Sequence, residues 1–182
     1  HVAEQLAGGY NVLIDGGACR IGVESTVLSL AGEIPVLLRP GGVSREEIET
    51  VVGRIEVAHA RGRGDARLES PGMLTSHYAP LTPLVLTDSA DSYAERPDVG
   101  VILFQRPVLL FRGPVAALSQ DGDLREAAAN LYQALRTLDG MGLNLIVAER
   151  VPPHGLGTAI NDRLTKAAAA TSARRSQKST DR

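Results

Sequence analysis

The spacing of apolar residues changes character along the chain and divides it into parts. The opening residues His1-Val2-Ala3-Glu4-Gln5-Leu6 run into Gly8-Gly9, a helix-stop signal, and predict the last turns of a helix. Asn11-Val12-Leu13-Ile14-Asp15, closed by Gly16-Gly17, predicts a short buried strand. Ser25-Thr26-Val27-Leu28-Ser29-Leu30 alternates as a second strand, and Ile34-Pro35-Val36-Leu37-Leu38 makes a third, with Pro35 marking an edge or a strand start. Ser44-Arg45-Glu46-Glu47 is a capping box that opens a helix with Ile48, Val51 and Val52 on one face. Residues 1–58 thus read as a mixed α/β unit.

Residues 59–82 break the pattern. His59-Ala60-Arg61-Gly62-Arg63-Gly64-Asp65 is charged and glycine-rich, and Ser70-Pro71-Gly72-Met73 and Ala79-Pro80-Leu81-Thr82-Pro83 follow with breaker residues. By composition this is a linker. From 83 to 170 strand and helix alternate. Leu84-Val85-Leu86, Val99–Phe104 and Leu143–Ala148 predict strands. Leu124, Ala127, Ala128, Leu131, Ala134, Leu135 and Leu138 keep helical spacing, as do Leu156, Ile160, Leu164 and Ala167. Such alternation predicts a small parallel α/β layer of Rossmann-like type. The polar stretch 171–182 reads as a disordered tail.

Composition narrows the class of protein. A chain of 182 residues suffices for one sizeable domain or two small ones. Aromatic residues are 3% and Trp is absent, so the cores must be built from Val, Leu, Ile and Ala. A formal charge of -2 gives no overall attraction to nucleic acid, so any RNA contact would need a local basic patch. The single cysteine, Cys19, rules out an internal disulfide framework and suits a reducing cytoplasm. No run approaches the ~20 apolar residues that span a bilayer, and the first residues carry no leader pattern. The chain begins without Met and inside a helix, which reads as a piece of a longer protein.

Four segments carry candidate chemistry. In Gly16-Gly17-Ala18-Cys19-Arg20-Ile21-Gly22-Val23-Glu24-Ser25-Thr26, the glycines allow tight bends and close ligand approach, Ser25 and Thr26 offer hydroxyls, and Arg20 and Glu24 offer opposite charges. An ordinary loop between strands would look the same. Arg39-Pro40-Gly41-Gly42 places a guanidinium fork at a strand's carboxyl end, suited to phosphate or carboxylate, or simply to closing the strand. His77 and Tyr78 in Ser76-His77-Tyr78-Ala79-Pro80 suit contact with a base, phosphate or ribose, or anchoring of the linker to a domain. Gly155-Leu156-Gly157 opens the final helix and suits an anion, or tight strand–helix packing. The histidines at 1, 59, 77 and 154 have no ligand spacing, so no protein-built metal site is expected.

Taken together these segments resemble one family. Leu13-Ile14-Asp15-Gly16-Gly17-Ala18-Cys19, Gly22-Val23-Glu24-Ser25-Thr26-Val27 and Val36-Leu37-Leu38-Arg39-Pro40-Gly41 resemble the final third of a YrdC-like domain. Ser70-Pro71-Gly72-Met73 with Ser76-His77-Tyr78-Ala79-Pro80 is similar to the linker of two-domain threonylcarbamoyl-AMP synthases. Ala128-Ala129-Asn130-Leu131-Tyr132, Leu135-Arg136, Asp139 and Gly155–Leu164 resemble their accessory C-terminal domain. The resemblance implies an ATP-consuming nucleotidyltransferase. L-threonine, bicarbonate and ATP, with Mg²⁺, would give threonylcarbamoyl-AMP and pyrophosphate, and a downstream threonylcarbamoyl transferase complex would pass the group to tRNA. It implies that Ser25, with Thr26 beside it, contacts threonine, that Arg39 contacts the nucleotide phosphates, and that Tyr78, with His77 as neighbour, reaches ATP from a linker folded over the site. The family's basic Lys/Arg motif and Ser-Ala-Asn segment do not occur here. These residues by themselves are therefore expected to be inactive, and a non-catalytic nucleotide- or anion-binding module is the alternative.

Overall fold

The computed structural model describes residues 3, 6–17, 19–58, 79–107 and 109–180, and they form two α/β units. The first unit is a three-stranded sheet of β1 (Val27–Ser29), β2 (Val36–Arg39) and β3 (Glu56–Val57), with helix α1 (Arg45–Val52) between β2 and β3. β1 runs antiparallel to β2 with a register shift between Val27 and Leu28, and β2 runs parallel to β3. Pro35 sits just before β2, where its missing N–H is not needed, and its carbonyl accepts from Glu56 N at 2.9 Å. The capping box forms as expected: Ser44 Oγ accepts from Glu47 N at 3.2 Å, and Ser44 N donates to Glu47 Oε2 at 2.7 Å. Leu37 and Ile55 are the unit's buried apolar anchors.

The strand expected over residues 11–15 is absent. The segment has no regular structure, and Val12 and Ile14 are 77% and 87% exposed. An apolar run becomes a strand only where a neighbour accepts its ladder hydrogen bonds, and no described segment runs beside this one.

The second unit is a four-stranded parallel sheet in the order β4-β7-β5-β6, built from β4 (Leu84–Thr87), β5 (Val99–Leu103), β6 (Val115–Ala117) and β7 (Leu145–Glu149). Helices α2 (Leu124–Asp139) and α3 (Gly157–Thr180) complete it. Strand alternation separates its two faces. Ile102, Ile146 and Ala148 meet Ala127, Leu131, Leu135 and Leu138 of α2 and Ile160 and Leu164 of α3. Val99, Val101, Leu103 and Val147 point the other way, under Tyr93, Phe111 and Leu145. Each fully buried Leu or Ile contributes roughly 1.5–3 kcal/mol. β3 and β6 escaped the sequence reading, being two and three residues long with partly exposed side chains.

The stretch read as a disordered tail from 171 is instead the end of α3, which continues to Thr180. The reason is a buried hydroxyl. Thr171 is 4% exposed and its hydroxyl accepts from Leu84 N at 3.1 Å, tying the helix to the start of β4, while its proton is shared between Ala168 O at 2.9 Å and Leu84 O at 3.3 Å. Where the chain re-enters this unit after residue 78, Asp139 at the end of α2 accepts from Leu81 N at 3.0 Å and Thr82 N at 2.7 Å. Burial raises the Asp139 carboxyl, but those two N–H donors outweigh it and hold it below the usual carboxylate range.

The two units share one core. Val23, 7% exposed, packs among the α2 and α3 side chains, and Ile21 lies against them. Gly22 between them makes this contact: a Cβ there would lie 2.3 Å from Ala128 O and 2.5 Å from Ala129 Cα. What closely approaches this glycine is therefore the backbone of α2.

Candidate functional site

The two strand ends singled out in the sequence come together. Arg39 closes β2, and its guanidinium reaches across to the chain entering β1. Nε and Nη2 both donate to Ser25 O, at 3.2 and 2.9 Å, and Nη2 also lies 3.3 Å from Ser25 Oγ. Ser25 is exposed and Arg39 half-buried, so a hydroxyl and a delocalised cation sit side by side at the sheet surface. Thr26, the next residue, is tied to the turn beyond β2. Its hydroxyl donates to Val43 O at 2.6 Å and accepts from Val43 N at 3.0 Å. Its single proton is thereby committed, leaving one lone pair.

The turn after Arg39 is pressed onto the same loop. Gly42 N donates to Glu24 O at 2.9 Å. A Cβ on buried Gly41 would stand 2.3 Å from Glu24 O, 2.4 Å from the Ser25 carbonyl carbon and 2.4 Å from Thr26 N. Residues 24–26 and 39–43 are thus one layer, with only glycine allowing the approach. His77 and Tyr78 lie outside the described residues.

Glu24 does not offer its charge to a small ligand, as the sequence reading allowed. It turns to the second unit, where Tyr132 OH donates to Oε1 at 3.1 Å and Arg163 Nε donates to Oε2 at 2.7 Å. Arg163 is 7% exposed and also donates through Nη2 to Pro40 O at 3.1 Å and through Nη1 to Asp162. Burial pushes the Glu24 carboxyl up, but its own backbone N–H, the Arg163 guanidinium and the Tyr132 hydroxyl outweigh that and hold it below the ordinary range. Burial and the Glu24 carboxylate push the Tyr132 phenol well above its usual value, keeping it a proton donor.

A folded-state pKa below the unfolded one adds stability that is complete above the unfolded value, about 4.3 for Glu, and is lost as pH falls through the lowered one. Thermal unfolding of the chain should therefore become acid-sensitive below about pH 4.3, and Glu24→Gln should flatten that acid limb while lowering the neutral melting temperature.

The glycine turn before α3 serves packing. A Cβ on Gly157 would lie 1.9 Å from Pro152 O, and Gly155 N donates to Glu46 Oε1 of α1 at 3.3 Å. Asn161 pins the loop after β7, with its Oδ1 accepting from Val151 N at 3.0 Å and its Nδ2 donating to Val151 O at 2.8 Å. The pairing of Glu24 with Tyr132 and Arg163 is not legible in the sequence, although each stands inside a segment that carries the family resemblance: Gly22–Val27, Ala128–Tyr132 and Gly155–Leu164.

A cavity of about 620 Å³ opens at the carboxyl ends of β5 and β7, lined by Phe104, Arg106, Phe111, Glu149 and Arg150 among others. Neither Ser25, Thr26 nor Arg39 lines it, and two of its charged groups are engaged locally: Arg150 pairs with Asp88 at 3.2 Å and Glu149 accepts from Ala90 N at 2.7 Å. Among the described residues no group of three or more His, Cys, Asp or Glu is placed to hold a metal, and no helix is long and apolar enough to cross a membrane.

Comparison with known proteins gives this arrangement a context. The chain is 39% identical over 178 residues to the threonylcarbamoyl-AMP synthase of Bacillus subtilis and 39% over 176 residues to that of Pyrococcus abyssi, covering 92% of this chain in each case. The Schizosaccharomyces pombe enzyme is 34% identical over 194 residues. The crystal structure of P. abyssi Sua5 complexed with L-threonine superimposes with a TM-score of 0.80 at 38% identity, covering 94% of this chain and 53% of that one. A variant of that protein with a histidine and a tyrosine each changed to alanine gives 0.78. The chain spans about half the length of the curated relatives it matches, 51% and 52% of the first two. Residues 43–169 match the family described as "Threonylcarbamoyl-AMP synthase, C-terminal domain", a stretch that holds α1, all of α2 and Arg163. With its α/β fold, its ordered motifs and these relatives in agreement, the chain belongs to the threonylcarbamoyl-AMP synthase family.

Proposed function

We propose that this chain supplies one wall of a site where L-threonine, bicarbonate and ATP become threonylcarbamoyl-AMP and pyrophosphate. The observation that carries the reading is the Arg39–Ser25 contact, which sets a hydroxyl beside a guanidinium fork. Ser25 contacts threonine, Thr26 holds the wall through Val43, and Arg39 faces the nucleotide phosphates. Tyr78 and His77 approach ATP from the segment before Ala79. The P. abyssi Sua5 structure with L-threonine supports the assignment of the amino-acid side. Catalysis of this kind needs positioning and charge stabilisation and no covalent protein intermediate. Mg²⁺ arrives bound to the triphosphate, its usual mode with few protein carboxylates. The product goes to a downstream threonylcarbamoyl transferase complex acting on tRNA in the cytoplasm. A net charge of -2 gives the chain no overall attraction to tRNA.

Arg39→Met tests the reading. A charge-assisted hydrogen bond is worth roughly 1.5–3 kcal/mol. ATP affinity, followed by calorimetry, should therefore fall about ten- to a hundredfold with the fold retained. Pyrophosphate release dependent on threonine and bicarbonate should appear when the chain is joined to a region carrying the basic and Ser-Ala-Asn motifs. Silence of that longer protein, with unaltered ATP binding in Arg39→Met, would overturn the proposal. ATP binding without pyrophosphate release would instead favour a nucleotide-binding module.

A further inference from the structure

The network around Glu24 ties the accessory unit to the wall described above. Arg163 sits on α3, in the second unit, yet two of its three N–H contacts go to the first. Nε donates to Glu24 Oε2 at 2.7 Å, next to Ser25, and Nη2 donates to Pro40 O at 3.1 Å, next to Arg39. One side chain therefore spans both halves of the wall, and it is only 7% exposed. Tyr132 of α2 holds the other oxygen of Glu24 at 3.1 Å. Asp162 accepts from Arg163 Nη1 and from Lys166 Nζ, the latter at 2.8 Å, and fixes the guanidinium from behind. None of these groups is where simple adhesion between units would need a charge. A buried ion pair adds little stability over an apolar contact of the same shape, because desolvation offsets the attraction. What it does supply is direction, since a planar fork accepts partners only at fixed angles.

The same helix holds a second point. Arg174 Nη2 lies 3.4 Å from Ala79 O, the carbonyl that follows Tyr78 in the chain. Arg163 and Arg174 are eleven residues apart (174 minus 163), close to three turns, so they share one face of α3 about 16 Å apart along its axis. That face contacts both the Arg39 turn and the point where the second unit begins.

We infer that Arg163, with Tyr132, is a positioning residue for the substrate wall: acting through Glu24 and Pro40, it sets the backbone of Ser25 and the direction of Arg39. The accessory unit is then a structural half of the site. The inference rests on the proposed reading for its link to threonine, while its geometric part stands without it.

The test uses the full chain with Arg163→Met, Arg163→Lys and Tyr132→Phe, and reads two quantities. The first, without substrate, is amide hydrogen exchange at Gly42 and Val43, whose N–H groups bond Glu24 O and Thr26 Oγ1. Val101 and Val147 in the second sheet serve as reference. The second is the dissociation constant for L-threonine by calorimetry. For Arg163→Met, exchange at Gly42 and Val43 should quicken about tenfold or more relative to the reference amides, and threonine affinity should fall on the order of ten- to a hundredfold. Arg163→Lys should recover part of both, because a point charge still pairs with Glu24 but cannot fork to Pro40. Tyr132→Phe should show about a three- to tenfold loss and stays informative if Arg163→Met does not fold. Folded Arg163→Lys and Tyr132→Phe with unchanged exchange at both amides overturn the inference. If the unaltered chain binds no threonine while the exchange effects appear, positioning stands and the assignment of the ligand fails.

Discussion

Gly41→Ala is expected to abolish the threonine affinity proposed for this wall while leaving the second unit folded. The added methyl would sit 2.3–2.4 Å from three backbone atoms of Glu24, Ser25 and Thr26, and backbone cannot swing aside as a side chain can. Relief requires moving either the 39–43 turn or the 24–26 loop. Either motion stretches the Thr26–Val43 pair of hydrogen bonds and the Arg39–Ser25 contact together. Overpacking of this kind costs about 1–3 kcal/mol. A displacement near 1 Å at a substrate wall costs on the order of a hundredfold in function. Calorimetric titration with L-threonine, beside a thermal melt, checks both. Gly53→Ala is the comparison. Gly53 has φ +79° and ψ -159°, a region open essentially to glycine alone, and nothing lies within 4 Å of an added methyl, so alanine there should lower stability by about 1–3 kcal/mol and leave threonine affinity alone.

The second large effect is expected from Gly22→Val. Its Cβ would meet Ala128 O at 2.3 Å and Ala129 O at 2.7 Å, both backbone atoms of α2, and the two further methyls deepen the clash. The first unit must then lift away from the helix. Overpacking costs about 1–3 kcal/mol, and exposing Val23 adds about 1–2 kcal/mol. Glu24 leaves Arg163 and Tyr132 in the same movement. Because the second unit keeps its own core on both sheet faces, urea unfolding should split from one transition into two. Limited proteolysis should then cut within residues 20–58 while sparing 83–170. A single transition at unchanged urea concentration would show that the units do not depend on this contact.

Much of the architecture could be read along the chain because the signals involved are local. The helix from Leu124 to Asp139 rests on spacing that one turn repeats to the next, and its six buried residues are among the seven that the periodicity names. The Ser44 capping box is a reciprocal pair three residues apart, so its chemistry is complete within a single turn. β5 and β7 announce themselves as unbroken apolar runs, since a central parallel strand is covered on both faces. Residues 11–15 carry the same kind of run, yet they form no strand, because a strand also needs a partner and no local pattern supplies one.

The site divides along the same line. Its residue types were legible in sequence: a Ser-Thr pair, an Arg at a strand end and glycines beside both. That Arg39 lies on Ser25, fourteen positions away, follows from how β1 pairs with β2. That Glu24 meets Arg163, one hundred and thirty-nine positions on, follows only from the shared core that brings α3 against the first unit. The polar stretch from 171 looked unstructured because its composition offers little to bury, yet it continues α3, whose Thr171 hydroxyl is bonded to Leu84 at the start of β4. Local periodicity and capping, which act over one turn or one strand, were therefore settled by sequence alone. The partners of charged and hydroxyl groups across the unit boundary were decided by the tertiary structure, because burial leaves such a group no water and obliges it to bond whatever the fold places within about 3 Å.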